Sequence, residues 1–362
     1  MKLSPWLLLL MIGRKSMYRI KTSERNNDKA TEYETKSLLY LLTKIEGNEK
    51  IDIFIIDCFN DVTGTKEDYK ESWDVQSKGV ASLSPKTIGA ALYTLFANYV
   101  SDIDFTHYLL FFPSIKDSYL KNSSLETFGI INFEEEKRLK IKEGLEGEIA
   151  RRNDPEVNNS SNLLSIDSFL SEVVFIIDRF QKADYIKSII EFKNISRLDD
   201  LFLNKIFDEI RVLQSAKKIP NVYNQEVNSI QETDSFNKTI YRKDIELLVV
   251  NRVVGNDLFS ESGIPTYFIR EVVDLDEEDI IDLIQECQAK LSRTLFNKNN
   301  KKAFWILLEK IMLEVTHNPN ATIYDIISTI SSDLRNSVFT LDDKALLYLI
   351  ALVKGGVHNE NT

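Results

Sequence analysis

Short apolar segments rich in β-branched and aromatic residues lie in the first third of this chain, and they constrain its fold more than any other feature. Ile51–Asp57, Ser72–Lys78 and Phe105–Phe112 each have the length and composition of a strand. Between the last two, Ser84 and Pro85 have the residue types of an N-cap and a first helical position, and a helical stripe of apolar residues follows. The pattern predicts an α/β domain.

The segment before the first strand predicts a helix over residues 29–46. Asn27 and Asp28 are candidates for its N-cap. Extending its apolar stripe one turn toward the N-terminus includes Glu34. A carboxylate on an apolar face is costly without a partner, so Glu34 is either a paired functional group or a boundary residue whose head reaches solvent. The apolar stripe comprises Leu38, Leu41, Leu42 and Ile45.

Turn residues and charges mark the connections. Asn60–Lys70 has the composition of a hairpin connection with a short strand around Val62. Glu134–Glu148 is typical of a solvated helix, and Asp154–Ser161 is the best candidate for a linker. Phe169–Asp178 is apolar enough for a fifth strand, with a helix as the alternative.

From about Asp184 onward the pattern is helical and shows no repeat period. A polar break at Pro220–Asn237 interrupts it. We therefore predict an α/β domain over residues 28–183 and a mainly α-helical domain over 184–362, suited to partner docking or regulation. The predicted helices of the second domain are 184–193, 197–216, 241–253, 277–293, 300–316, 322–334 and 341–353.

The N-terminal residues 1–27 form a separate, uncertain segment. The apolar run Trp6–Gly13 is much shorter than the roughly 20 residues of a membrane span. It is similar to the apolar region of a signal peptide, but no small-residue cleavage pattern follows. We expect instead that translation starts at Met17, which opens a polar segment.

The charge balance restricts the possible partners. The 362 residues carry a formal net charge of −11 with a pI near 5.0, whereas a protein that coats DNA by itself is usually basic. Contact with nucleic acid must therefore be local, or partner subunits must supply most of the positive surface. The only cysteines, Cys58 and Cys287, indicate neither a zinc site nor a disulfide framework, which fits a cytoplasmic protein.

Two aspartates and a Gln-x-Lys pair are the residues suited to chemistry. Gln76 and Lys78 point to the same face of a strand because side chains alternate, and Asp74 lies at the edge of that face. Asp57 and Asp61 end the preceding strand and its turn. Asp61, Gln76 and Asp57 could offer oxygen ligands to Mg²⁺ or Mn²⁺. Lys78 could stabilise charge developing on a phosphate or hold the attacking water.

The order of these elements and the Asp…Gln-x-Lys spacing resemble the PD-(D/E)xK nuclease superfamily. Within it, the chain is most similar to the double-stranded DNA endonuclease domain of bacterial anti-phage effectors. That domain occurs in CD-NTase-associated (cyclic-oligonucleotide) systems and in the nuclease subunit of Lamassu-type systems. The resemblance covers about residues 28–115. It implies a restriction-endonuclease-like αβββαβ domain with a mixed sheet, followed by the mainly α-helical C-terminal domain.

The resemblance also implies which positions form the site. Asp57 and Asp61 match an acidic-x-x-x-Asp pattern at a strand end, and Lys78 matches the family's lysine. Gln76 stands where most members have Glu. Glu34, which follows an aromatic residue, resembles a polar position in the family's first helix. The implied catalytic set is therefore Asp61, Gln76 and Lys78, with Asp57 and Glu34.

The implied activity is metal-dependent cleavage of double-stranded DNA by the effector subunit of an anti-phage defence complex. One alternative is a nuclease-like subunit that has lost catalysis and acts as a scaffold, favoured by the neutral Gln76 and the acidic balance. Another is a structural or regulatory protein in which the Gln-x-Lys pair is coincidental.

The expected partners follow from the charge and from the resemblance. We expect a DNA-binding partner, such as an SMC-like ATPase with an accessory protein, to deliver the duplex and restrain the nuclease, with docking on the helical domain. No nucleotide-sensing domain is recognisable in the C-terminal half, which favours control by other proteins. No membrane partner is expected, and assembly into a homo-oligomer on activation stays open.

Overall fold

The computed structural model describes residues 17–21, 31–195, 198–260 and 263–359. The N-terminal apolar run and the proposed caps Asn27 and Asp28 lie outside them. The chain forms two compact units, and the first crossing, between Gln181 and Lys182, lies beside the predicted boundary at 183. Asp208–Arg242, which the sequence pattern assigned to the helical domain, belongs to the first unit, because it supplies a strand of the central sheet.

A seven-stranded mixed sheet is the centre of the first unit. The described residues form nine strands, of which seven belong to this sheet. They are β1 (Tyr18–Arg19), β2 (Ile53–Ile56), β3 (Val62–Thr65), β4 (Ser72–Ser77), β5 (His107–Phe112), β6 (Thr127–Gly129), β7 (Val173–Ile177), β8 (Glu226–Val227) and β9 (Thr239–Tyr241). Their order in the sheet is β6-β7-β5-β4-β3-β2-β9, and β1 and β8 form a separate pair. β2, β3 and β4 are antiparallel neighbours, whereas β4, β5 and β7 run parallel. β2, β4 and β5 lie where the sequence predicts strands.

The helices of both units are α1 (Glu32–Thr43), α2 (Pro85–Ala91), α3 (Tyr93–Tyr99), α4 (Glu135–Arg152), α5 (Ser160–Leu164), α6 (Ile166–Glu172), α7 (Lys182–Ile189), α8 (Asp200–Lys218), α9 (Arg242–Val254), α10 (Glu277–Leu295), α11 (Lys301–His317), α12 (Ile323–Ser328), α13 (Ser332–Ser337) and α14 (Asp343–Asn359). Within the described residues, none of these helices combines the length and the apolar character needed to cross a membrane.

Helix α1 is shorter at both ends than the predicted helix 29–46. Thr31 is its N-cap and forms a capping box with Glu34, in which each side chain accepts a hydrogen bond from the other's backbone N–H. Glu34 therefore fixes the start of the helix as well as lying near the candidate site. Its carboxylate is buried and paired, not directed to solvent.

The predicted helix after Ser84 is present but is divided in two. Ser84 caps α2 through the Thr87 N–H, and Pro85 occupies its first turn, as the sequence indicates. The chain then bends at Leu92, whose backbone conformation ends α2 and starts α3. Two polar side chains of α3 reach strand β4.

The helix predicted over Glu134–Glu148 is present as α4, but it is not solvated on all sides. One of its faces is buried through Ile141, Leu145 and Ile149, which recur every four residues. It packs closely on α2 at two glycines. A Cβ at Gly89 would lie 1.9 Å from the Ile141 carbonyl oxygen, and one at Gly144 would lie 2.2 Å from the Lys86 carbonyl oxygen. Only glycine permits this approach of the two backbones.

Both alternatives for Phe169–Asp178 are realised in succession. Residues up to Glu172 end helix α6, and β7 begins at Val173 beside β5. The Asp154–Ser161 segment connects α4 to α5 inside the first unit and buries Val157, so it is not a linker between the two units.

The second unit is helical in its described part. α14 packs against α10, α11 and α12, and the most buried side chains include Trp305 and Tyr348. The single helix predicted over 322–334 is two helices, because Ser331 caps a new one by accepting a hydrogen bond from the Leu334 N–H.

Candidate functional site

Strand register brings the first two predicted site residues together. Asp61 directly precedes β3, and the register pairs Val62 with Val75, so Asp61 lies opposite Gln76 on the neighbouring strand. On the other side, Asp57 follows β2, and its N–H donates to the Asp61 carbonyl oxygen at 3.3 Å. The hairpin therefore places both aspartates at the same end of the β2–β3–β4 sheet.

The Asp61 carboxylate is anchored by the end of β4. Its Oδ2 atom accepts hydrogen bonds from the Ser77 N–H and hydroxyl, both at 2.6 Å, and from Gln76 Nε2 at 2.8 Å. Gln76 Nε2 also lies 3.2 Å from the Ser77 carbonyl oxygen. The Gln76 amide is thus located between two oxygens, the Asp61 carboxylate and the Ser77 carbonyl.

Helix α3 supports strand β4 with two polar side chains one turn apart. Thr94 donates to Gln76 Oε1 at 2.7 Å, and Asn98 Nδ2 donates to Asp74 Oδ2 at 2.7 Å. Residues i and i+4 of a helix are about 6 Å apart along its axis, close to the roughly 6.6 Å between residues i and i+2 of a strand. This match lets one helix face orient both side chains.

Asp74 lies behind the site in a sealed polar cluster. It is 0% exposed and accepts hydrogen bonds from Asn60, Thr63 and Asn98. Burial raises the pKa of Asp74 to about 7, because desolvation of the charged form outweighs the lowering effect of those donors. The predicted shared face with Gln76 is present, but the Asp74 carboxylate is enclosed by protein.

A cavity of about 270 Å³ opens beside Asp61 and Gln76. Lys78 also lines it and is partly exposed. Within the described residues, the Lys78 ammonium has no hydrogen bond or ion pair. The structure therefore places Asp57, Asp61, Gln76 and Lys78 on the wall of one cavity.

Other charged groups around this cavity are already paired. Arg152 donates to Glu148 at 2.7 Å, and Lys21 contacts Asp154 and Glu156 at 2.5 and 2.7 Å. These ion pairs offset much of the local positive charge. Unlike Arg152 and Lys21, Lys78 has no ion pair within the described residues.

Glu34 is close enough to Asp61 for the two charges to interact, but it has its own partner. Its Oε2 atom lies 3.1 Å from the Lys218 ammonium. Burial and the neighbouring Asp61 carboxylate raise the pKa of Glu34 to about 7, against the opposing effect of Lys218. Glu34 is not among the described residues that line the cavity.

Asp57 is likewise paired with a lysine. It has a positive φ of 52°, an uncommon conformation that Asp tolerates better than most residues. Its Oδ2 atom lies 3.4 Å from the ammonium of Lys238, which is fully buried. The same cation and the adjacent carboxylate influence Cys58, but burial dominates and raises the pKa of its thiol to about 12.

The donor set fits a divalent cation only if oxygens of different kinds are combined. Among the described residues, no three His, Cys, Asp or Glu side chains are grouped so that they could hold a metal. Asp61, the Gln76 amide and the Ser77 carbonyl are hard oxygen donors of the kind Mg²⁺ accepts. Thr94 can accept as well as donate, so the Gln76 amide can turn its oxygen toward Asp61 and keep the Thr94 hydrogen bond, while it loses the Nε2 hydrogen bonds to Asp61 and the Ser77 carbonyl.

Several residues of the site were missed from the sequence. Thr94 and Asn98 interrupt an apolar helix at i, i+4 spacing, a signal that was present in the pattern. Lys218 and Lys238 gave no such signal, because they lie 184 and 181 residues from their partners.

No family model, curated protein or solved structure matches this chain.

Proposed function

We propose that this chain is a metal-dependent endonuclease of the PD-(D/E)xK type that cleaves double-stranded DNA. The observation that carries the proposal is the convergence of Asp61, Gln76 and Lys78 on one cavity, with Asp61 Oδ2 2.8 Å from Gln76 Nε2. The order of α1, β2–β4, α2, α3 and β5 around a mixed sheet supports the proposal, because the resemblance implies the same order of elements.

Each residue has a role that follows from its surroundings. Asp61, Gln76 and the Ser77 carbonyl would hold Mg²⁺ or Mn²⁺, and the ion would polarise the phosphodiester and activate water. Ser77 fixes the Asp61 carboxylate through two hydrogen bonds, and Thr94 fixes the Gln76 amide. Lys78, the unpaired cation of the described cavity wall, would contact the phosphate where negative charge develops.

The charge distribution supports a requirement for partners. A net charge of −11 repels DNA at long range, and the cations of Arg152 and Lys21 are engaged by acidic neighbours. We therefore propose a subunit of an anti-phage defence complex in which an SMC-like ATPase and an accessory protein bring the duplex to the cavity.

A catalytically inactive scaffold is the second candidate function. Two observations favour it: the Gln76 amide nitrogen, not its oxygen, faces Asp61, and no three acidic or thiol or imidazole side chains are grouped for a metal in the described residues. A scaffold would keep the fold and its partners but would bind no divalent ion at Asp61.

Metal binding separates the two candidates. In a calorimetric titration with Mn²⁺, the nuclease should bind the ion, and Asp61→Asn should abolish both this binding and cleavage of plasmid DNA in the assembled complex. Asp68→Asn is the matched control, because Asp68 is an exposed aspartate in the β3–β4 turn. Equal Mn²⁺ binding by the wild type and Asp61→Asn, or no binding by either, would refute the nuclease proposal.

A further inference from the structure

A second cavity, of about 350 Å³, adjoins the cavity beside Asp61. All the described residues that line the two cavities belong to the first unit. The two cavities together, here named the double cavity, extend the candidate site beyond the space next to Asp61 and Gln76. The described residues that line both cavities, and so form their shared wall, are Lys21, Phe59, Tyr93, Thr94 and Arg152.

The guanidinium group of Arg152 is held on the shared wall by two contacts. Its Nε atom donates to Glu148 Oε1 at 2.7 Å, and its Cζ atom lies 4.2 Å from the centre of the Tyr93 ring. Neither terminal nitrogen, Nη1 or Nη2, has a hydrogen bond within the described residues. The side chain is 35% exposed. Arg152 therefore combines a restrained guanidinium with a pair of donors that are available to a ligand.

The charges at the end of helix α4 leave a positive excess. Arg151 also binds Glu148, through its Nε atom at 2.7 Å and its Nη2 atom at 2.6 Å. The hydrogen bonds from Arg151 and Arg152 lower the pKa of Glu148 to about 2, so this carboxylate is charged at neutral pH. Two guanidinium groups thus share one carboxylate. Lys21, the other described cation on the shared wall, contacts two carboxylates, so the balance around it is negative.

A guanidinium group suits a phosphate because its parallel N–H donors match two phosphate oxygens and because it is weakly hydrated. The terminal nitrogens of Arg152 can accept such a ligand while Nε stays on Glu148, so binding breaks no ion pair. Lys78 lines the cavity beside Asp61 together with Arg152. If Lys78 contacts the scissile phosphate, Arg152 lies on the path of the same strand's neighbouring phosphates.

We propose that Arg152 binds a backbone phosphate next to the scissile one through its terminal nitrogens, while Glu148 and Tyr93 hold its guanidinium in the double cavity. The inference deepens the proposed function and rests on it for the identity of the ligand as DNA. A phosphate contact carries no information on base sequence, so Arg152 contributes affinity and register to any duplex.

The test measures binding of a short fluorescein-labelled DNA duplex to the full chain by fluorescence anisotropy. EDTA prevents cleavage, and at an ionic strength of about 0.15 M charges farther apart than about 8 Å are largely screened. The wild type should bind with a dissociation constant of about 10⁻⁴ to 10⁻⁶ M, the range of non-specific binding at physiological salt. Arg152→Gln should bind about tenfold more weakly, because one charge-assisted contact is lost.

Arg151→Gln is the matched control. It removes the same charge one residue earlier, from another partner of Glu148, and Arg151 is not among the described residues that line either cavity. It should bind the duplex as the wild type does. Arg152→Lys should bind several-fold more weakly than the wild type, because it keeps the charge and loses the fork of donors. A duplex of scrambled sequence should give the same ratios of affinity.

The outcomes separate the inference from the function beneath it. Unchanged binding by Arg152→Gln, an equal loss in Arg151→Gln, or no duplex binding by the wild type would overturn the inference. If Arg152→Gln does not fold, wild-type affinity in Arg152→Lys would overturn it instead. The Mn²⁺ titration of Asp61→Asn decides the nuclease proposal separately. Duplex binding that depends on Arg152, in a wild type that binds no Mn²⁺, would keep the phosphate contact and refute the nuclease.

Discussion

Asp61 and Asp74 are held by the same pair of strands, β3 and β4, but their surroundings differ. Asp61 is partly exposed, lines a cavity with Lys78 and is bonded by Ser77 and Gln76. Asp74 is 0% exposed, and its partners are side chains from the hairpin turn, β3 and α3. Both carboxylates accept hydrogen bonds from several donors.

The difference teaches that a dense hydrogen-bond network does not by itself identify a reactive carboxylate. Asp61 differs from Asp74 in its access to solvent and in the neighbouring Lys78, which has no ion pair within the described residues. Helix α3 helps to seal Asp74 from solvent, so we assign Asp74 a structural role. We therefore expect substitutions at the Asp74 end to change stability first, and substitutions at the Asp61 end to change activity first.

The largest effect is expected for Asp74→Ala. The substitution leaves the buried donors of Asn60, Thr63 and Asn98 without their acceptor, and each unpaired buried group costs about 1–3 kcal/mol. The free energy of unfolding should fall by about 3 kcal/mol or more in urea denaturation. Asp68→Ala, in the exposed turn, should change it by less than about 0.5 kcal/mol. A similar small change for Asp74→Ala would contradict the structural role.

Lys78→Ala tests the opposite end of the comparison. Lys78 is partly exposed and has no ion pair within the described residues, so stability should stay within about 0.5 kcal/mol of the wild type. Under the nuclease proposal, cleavage of plasmid DNA by the assembled complex should fall about 100-fold or more, since the substitution would remove a preorganised group that stabilises developing charge. Lys70→Ala, in the β3–β4 turn, is the control and should cleave normally. Normal cleavage by Lys78→Ala would remove Lys78 from the site.

Local sequence signals located the strands and one cap, because these depend on neighbouring residues. β-branched residues marked β2, Trp73 and Val75 marked β4, and Ser84 capped α2 as expected. The buried face of α4 was also visible as a four-residue spacing, but the charged majority of that helix obscured it. Thr31 was overlooked as a cap because two better-known cap residues, Asn27 and Asp28, lie just before it in the sequence.

The candidate site was predictable only where one hairpin forms it. Asp61 and Gln76 meet through the register of adjacent strands, which residue alternation can indicate. Lys218 and Lys238 could not be predicted in the same way, since their positions depend on a chain segment that returns after a helical excursion. The raised pKa of Asp74 depends on burial beneath α3, a packing effect that local patterns do not contain.

Gln76→Glu sharpens the contrast at the Asp61 end by exchanging a donor for a second carboxylate. In buffer with EDTA, loss of the Gln76–Asp61 hydrogen bond and repulsion of like charges should lower the free energy of unfolding by about 1–3 kcal/mol. Mn²⁺ should restore stability, because a ligand that binds the native state stabilises it. Unfolding measured with and without Mn²⁺ gives both values. If the ion stabilises Gln76→Glu no more than the wild type, Gln76 is not beside the metal.

The smallest effect is the pH dependence of stability that Asp74 confers. Its pKa is raised from 3.8 to about 7 in the folded state, so the native protein binds more protons than the unfolded chain between these values. Stability from this group is therefore fully present below pH 3.8 and is lost progressively as the pH rises from there to the folded pKa of about 7. The free energy of unfolding of Asp74→Asn, which cannot titrate at this position, should fall by about 1 kcal/mol less than that of the wild type between pH 6 and pH 8.

The comparison of Asp74→Asn with the wild type isolates this carboxylate from Glu34, whose pKa is also raised to about 7 and whose contribution is common to both proteins. Urea denaturation in EDTA at each pH provides the measurement. Parallel stability curves for the two proteins would show that Asp74 is charged in the folded state at neutral pH. The contrast between Asp74 and Asp61 would then depend on access to solvent alone.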